Sequence, residues 1–338
     1  MTLMRRPKLP LRFDAAGVLH ISAHISYNNP EFKKGGIAIY TKRTDLAVEA
    51  RDLYREASKS AGDPDGVVSE EYEAEGLKVH AVDIKTDEGA QKLGKPVGRY
   101  VTVDIDPLIS HEENAFERAV NAISGELKKI MQPDPGKPVM VVGLGNKEIT
   151  PDSIGPRAAD KILATRHLLS NMPDQFGMLK PVTVISPGVL GMTGIETGEI
   201  ISGVVGKVPP SVLIIIDALA SRQASRLCNS VQLSNTGIAP GSGVKNDRFE
   251  INRQTMGVPC ISIGVPTVVD AATLAADVMD GLGIKYDMNA LAQKYGDTFV
   301  TLKDIDVRAA DCSKVVAYGI NSAIQTELSI EDIDMFLS

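Results

Sequence analysis

The sequence predicts an α/β fold: a doubly wound, mostly parallel sheet with helices on both faces. Three observations carry that prediction. First, short apolar runs at residues 139–143, 182–186, 212–216 and 260–264 are rich in aliphatic residues and bounded by Pro and Gly, as strands covered on both faces are. Second, helical stretches fall between these runs, which is the alternation that parallel βαβ units leave in a chain. Third, 338 residues with 43% hydrophobic content suffice to bury a large core, as one big domain or two smaller ones.

Composition removes several functions. Aromatic residues make up 4% and Trp is absent, which argues against a stacking surface for sugars or single-stranded nucleic acid. A net charge of −7 argues against a general polyanion binder, so no direct nucleic-acid partner is expected. No window approaches the roughly 18 apolar residues of a membrane span. Arg5 and Arg6 run into a charged, Pro-containing stretch instead of the apolar core of a signal peptide. Cys228, Cys260 and Cys312 form no CxxC pair and read as buried thiols of a cytoplasmic protein. His20 and His24 stand four apart with no suitable acid nearby, so neither a metal nor another cofactor is expected.

Residues 1–45 read as a leader and residues 46–338 as a single domain. The leader carries eight Lys and Arg against three acids, or +5, which leaves −12 for the rest. A basic segment on an acidic body tends to dock, and the strand-like pieces VLHISAHIS and GIAIYT favour docking. In TKRTDLAVEARDLYREAS, Leu46, Ala50, Leu53 and Ala57 recur at helical spacing, with Thr44 or Asp45 placed to cap the first turn. After a turn at residues 62–66, LKVHAVDI and GRYVTVDI alternate with period two and read as half-buried edge strands within residues 77–104. In HEENAFERAVNAISGELKKIM, Phe116, Val120, Ile123, Leu127 and Ile130 form the stripe of an amphipathic helix. The parallel sheet follows, with helices expected over residues 156–170, 196–205 and 268–279. Pro156 suits a first turn, where its missing N–H has no partner to lose. SVQLSN reads as a shorter strand ahead of the Gly-rich loop TGIAPGSGV, and SKVVAYGINSAIQ as a helix that packs back on the sheet.

In open α/β sheets, chemistry collects beyond the carboxyl ends of the strands. Asp152 in ITPDSIGPR and Asp217 directly after LIII both fall there. Taken alone, Asp152 also reads as a helix cap or an Asx-turn. Asp217 is harder to dismiss, because a carboxylate at the mouth of a buried strand is costly unless paired, hydrogen-bonded or functional. Together they form a candidate pair for cutting a peptide bond. Glu196 in TGIETGE is either a third acid of the crevice or a helix-start acid favoured by the dipole, and the second reading is preferred. A dinucleotide site fits poorly: VGLGN lacks the third glycine of GxGxxG, with Glu148 in its place, and a tight turn explains the glycines better. Ser242 in PGSG lacks the strand–turn–helix of a nucleophile elbow, and His167 in ATRHLL reads as structural.

The strings VVGLGN, TPDSIGPRAADKILATRHLL, SPGVLGMTGIETGEIISGVV, IIIDALASR, QLSNTGIAPGSGV and IGVPTVVDA, in this order, closely resemble the germination protease family of spore-forming bacteria. The resemblance spans residues 44–280 and returns in VVAYGINSAI. It implies a fold related to hydrogenase maturation endopeptidases and an endopeptidase that degrades small acid-soluble spore proteins during germination. It also implies a zymogen that removes its own leader, a homotetramer, and a place in the cytoplasm of the spore core. The family's proposed catalytic aspartates fall on Asp152 and Asp217. Its cleavage motif is an acid followed by an apolar residue, Ala, a small residue and Glu, and Asp45-Leu46-Ala47-Val48-Glu49 matches it. That match turns Asp45 from a helix cap into the residue before a scissile Asp45–Leu46 bond. Backbone N–H groups at Gly241, Ser242 and Gly243 are candidates to serve the oxyanion. The rival readings are a hydrogenase-maturation-type endopeptidase, which TGIET and GVPTVVDA fit poorly, and a non-catalytic nucleotide- or peptide-binding α/β protein.

Overall fold

The four apolar runs become neighbouring parallel strands, and a second, antiparallel set extends the sheet beyond them. The computed structural model describes residues 12–13, 19–20, 42–239 and 249–337, and the chain divides into two units, Met1–Phe32 and Lys33–Ser338. In the first unit, β1 (Arg12–Phe13) pairs antiparallel with β2 (Leu19–His20). The second unit begins with α1 (Ala47–Ser58), β3 (Val67–Ala74), β4 (Leu77–Ile84), α2 (Asp87–Leu93), β5 (Gly98–Asp104), α3 (Asp106–Ile109), α4 (Ala115–Ile130) and β6 (Val139–Gly143). It continues with α5 (Ile154–Ala159), α6 (Arg166–Asn171), α7 (Pro173–Phe176), β7 (Val182–Ile185), α8 (Leu190–Thr193), α9 (Thr197–Lys207), β8 (Val212–Ser221) and β9 (Ser230–Ser234). It closes with α10 (Arg253–Met256), β10 (Cys260–Asp270), α11 (Ala271–Gly281), α12 (Met288–Tyr295), β11 (Phe299–Val300), α13 (Ile305–Ile324) and α14 (Ile330–Leu337).

The strands of this unit form one sheet in the order β3-β4-β5-β9-β10-β8-β6-β7, with β11 added against β10. Only β10, β8, β6 and β7 pair parallel with one another; β10 is antiparallel to β9 and β11. The sheet is therefore mixed, and its antiparallel part is larger than the sequence suggested. One reason is chain length: residues 222–229 between β8 and β9 are too few for a parallel crossover of a dozen or more, so β9 returns antiparallel on the far side of β10. Another is β3, which the sequence reading passed over. Its VVSEEYEA has three acids and only one buried position, as befits an edge strand kept from pairing further.

Helices cover both faces, and the strands alternate accordingly. Val139 and Val141 of β6, with Val212, Ile214 and Ile216 of β8, pack into the core shared with α4 and α13. Met140, Val142, Leu213 and Ile215 pack on the other face with Ile201 and Val205 of α9. Because successive side chains alternate, Asp217 and Leu219 point to the α9 face.

Two boundaries differ from expectation. β8 continues to Ser221 and β10 to Asp270, because the two pair with each other past Gly143, where β6 stops. Asp217 thus lies within a strand whose neighbour on one side has ended. The helix expected over residues 156–170 is broken between α5 and α6. There the Asn321 side chain of α13 accepts from Leu163 N–H (3.0 Å) and donates to the Lys161 carbonyl (2.8 Å), meeting backbone groups that a continuous helix would have paired.

Candidate active site

Asp152 is placed by a tight return of the chain. After β6, Leu144 N–H donates to the Ile216 carbonyl at 2.8 Å, which ties the loop to the residue just before Asp217. Gly145 then turns at φ +114°, and a Cβ there would lie 2.0 Å from the Asp152 carbonyl oxygen; only glycine fits. The next N–H, of Asn146, donates to Asp152 Oδ2 at 2.8 Å. Asp152 closes a short 3₁₀ turn, Thr150–Asp152, which packs against β8 and β10. The VGLGN glycines therefore serve close backbone passage.

Asp217 is 7% exposed, and its Oδ1 accepts from the Ala218 N–H at 2.9 Å. In register it faces Gly264 of β10, and Gly264 faces Gln232 of β9. The absent side chain at Gly264 makes room for Leu219, whose Cδ1 lies 2.4 Å from where a Cβ would be. Both aspartates stand at the carboxyl end of β6, beside the stretch of β8 that β6 leaves uncovered.

The segment that matches the cleavage motif lies along this same stretch. Asp45 N–H donates to the Ala220 carbonyl and Ala220 N–H to Asp45 Oδ2, both at 2.8 Å. Asp217 and Asp45 thus occupy N–H groups two residues apart on β8, a strand rise of roughly 7 Å. Thr44, not Asp45, receives the Leu46 N–H, at 3.0 Å. Leu46 and Val48 are fully enclosed against Leu219 and Ile238. Gln232 accepts from Ala47 N–H at 2.7 Å and donates to the Asp45 carbonyl at 3.1 Å. Glu49 accepts from the N–H groups of Arg222 (2.7 Å) and Gln223 (3.0 Å) and from the Thr44 hydroxyl. Burial pushes the Glu49 carboxyl above its ordinary pKa, against the pull of Arg222 N–H, Thr44, Gln223 N–H and Arg226. Lys95 donates to the Thr44 carbonyl at 3.1 Å, and burial draws its ammonium below the usual value, against the charges of Asp45 and Glu49.

Glu196 occupies the position before α9 and makes no side-chain capping bond. Gly241, Ser242 and Gly243 lie outside the described residues. Gln232 escaped the sequence reading. Its signal was slight: one polar residue between Val231 and Leu233 in SVQLSN, where alternation alone places it on the opposite face from both.

A family model described as germination protease matches residues 47–289. The chain is 42% identical to a germination protease of Clostridium perfringens over 330 residues, covering 89% of this chain and 100% of that protein. It is 41% identical to one of Clostridium tetani (88% and 99% covered). It is 44% identical to one of Priestia megaterium over 257 residues (73% and 69%). Among solved structures, a nickel–iron hydrogenase maturation protease of Thermococcus kodakarensis aligns over 58% of this chain and 98% of that one, with 14% identity and a TM-score of 0.32. The mixed α/β sheet, taken with that family match, places the molecule in the class of α/β peptidases. More particularly, the chain belongs to the germination protease family.

Proposed function

We propose that this chain is an endopeptidase of spore germination, made as a zymogen, that cuts its own Asp45–Leu46 bond and then degrades small acid-soluble spore proteins. Family membership supports the general activity. The observation that carries the rest is the seating of the motif. Asp45, Ala47 and Glu49 are each held by polar groups, and Leu46 and Val48 fill an apolar recess, along the part of the chain from Leu219 to Arg222 that follows Asp217 and against Gln232 of β9. The segment is bound as a substrate would be. A homotetramer working in the cytoplasm of the spore core is part of the same reading. Among the described residues, no helix is long and apolar enough to cross a membrane.

Asp152 and Asp217 are the proposed catalytic pair. Two carboxyl groups drawn together share one proton, because both cannot ionise cheaply. The ionised member takes a proton from water, while the protonated member polarises the scissile carbonyl and later protonates the leaving amine. Mild acidification populates this singly protonated state. Protein incubated at mildly acid pH is expected to yield a new N-terminus at Leu46, read by N-terminal sequencing, and then to clear a small acid-soluble spore protein on a gel. Asp152→Asn and Asp217→Asn are each expected to stop both reactions. Processing of either variant at the wild-type rate refutes the pair.

A further inference from the structure

Gln232 shares a row of the sheet with one of the proposed catalytic acids. The register runs from Gln232 through Gly264 to Asp217, so the two side chains lie on one face, with roughly 10 Å between Cα atoms at the usual strand spacing. The Gln232 side chain is buried and engaged at both ends. Its Oε1 accepts from Ala47 N–H at 2.7 Å, and its Nε2 donates to the Asp45 carbonyl at 3.1 Å. Chemistry dictates which end is which, since an N–H requires the oxygen and a carbonyl requires the nitrogen. One amide therefore brackets the Asp45–Leu46 peptide, holding the carbonyl of that bond and the next N–H after it. A glutamine whose task was only to fill the sheet face has no need to meet both.

We propose that Gln232 is a catalytic residue of self-cleavage, giving a hydrogen bond to the Asp45 carbonyl oxygen and fixing which peptide bond is presented. This rests on the reading of Asp45–Leu46 as the processing site. As water adds to the Asp45 carbonyl carbon, the π pair moves to oxygen, and the bond from Nε2–H strengthens with the growing negative charge. When the tetrahedral centre collapses, the C–N bond breaks and its electron pair stays on the Leu46 nitrogen. That nitrogen takes the proton of the protonated carboxyl, while the proton lost by water remains on the other carboxylate. The products are a carboxyl group on Asp45 and an amine on Leu46. The bond to Ala47 keeps the donor aimed throughout.

The test compares full-length wild type, Gln232→Glu and Gln232→Met for rate of processing across acid pH, with the site of each cut sequenced. An ionised glutamate still accepts from Ala47 but offers the carbonyl no donor, so processing by Gln232→Glu is expected to slow by about 100-fold or more with the cut still before Leu46. That deficit shrinks as pH falls and the new carboxyl gains a proton to donate, a trend that a packing role does not produce. Gln232→Met is slow at every pH. Wild-type rates in the folded variants, or a Gln232→Glu deficit that ignores pH, overturn the role of Gln232 while leaving the processing site intact. A wild-type cut elsewhere overturns the processing-site reading itself. If Gln232→Met shows no cooperative melting, the pH trend of Gln232→Glu decides.

Discussion

Glu49 ends the cleavage motif, and its carboxyl is enclosed among three donors while burial raises its pKa above the ordinary 4.5. The sign of the consequence follows from linkage. A carboxyl whose folded pKa is raised holds its proton more tightly in the folded chain, so its contribution to stability is fully present below pH 4.5. That contribution is lost as pH rises through the folded value. Glu49→Gln cannot titrate and removes this component. Urea midpoints taken from below pH 4.5 to neutrality are expected to decline more for wild type than for Glu49→Gln; identical slopes would show that the side chain does not titrate as described. Asp45 and Gly145 differ in how well the sequence exposed them. The motif marked Asp45, but the partner of its carboxylate, Ala220 N–H, lies 175 residues away and no local pattern announces it. Gly145 was visible as a turn glycine, although its reason, the Asp152 carbonyl against it, is tertiary.

At the scale of elements, strands buried on both faces declared themselves by composition, and the amphipathic α4 by its stripe. Boundaries were less visible where pairing or a side chain from elsewhere sets them. β8 outlasts β6 because β10 continues beside it. The break between α5 and α6 is held by Asn321 on α13, which is 1% exposed and bonded to both Leu163 N–H and the Lys161 carbonyl. Asn321→Leu leaves both backbone groups without that partner, at an expected cost of about 2–4 kcal/mol. Urea unfolding with the midpoint and slope both fitted checks this; a loss below the error of the fit contradicts the role given to Asn321.

Across the whole molecule, residues 42–45 are strapped to the strand ends and to α11. Lys42 pairs with Asp277, and with Asp280 at 2.6 Å, while Asp277 also accepts from Arg222 Nε at 3.0 Å. Burial draws the Lys42 ammonium down, but its bonds to Asp277 and Asp280 outweigh that and leave it above the usual range. Lys42→Ala loosens the segment before the predicted cut. An expected loss of about 1–2 kcal/mol of docking corresponds to processing slower by roughly 5–30-fold, read by gel densitometry over time. An unchanged rate means the strap does not position the bond.

By itself, the sequence determined the α/β class, the four strands that run parallel and the family motif, because burial and turn chemistry are written in local composition and spacing, whereas Asp217, expected just past a strand end, lies within β8. Tertiary structure alone decided the order in which the antiparallel strands join the sheet, the run of β8 past β6, and the meeting of Asp45, Gln232 and Glu49 with groups far away in the chain. Those depend on which strand lies beside which, and pairing between distant segments leaves no periodic mark on either one.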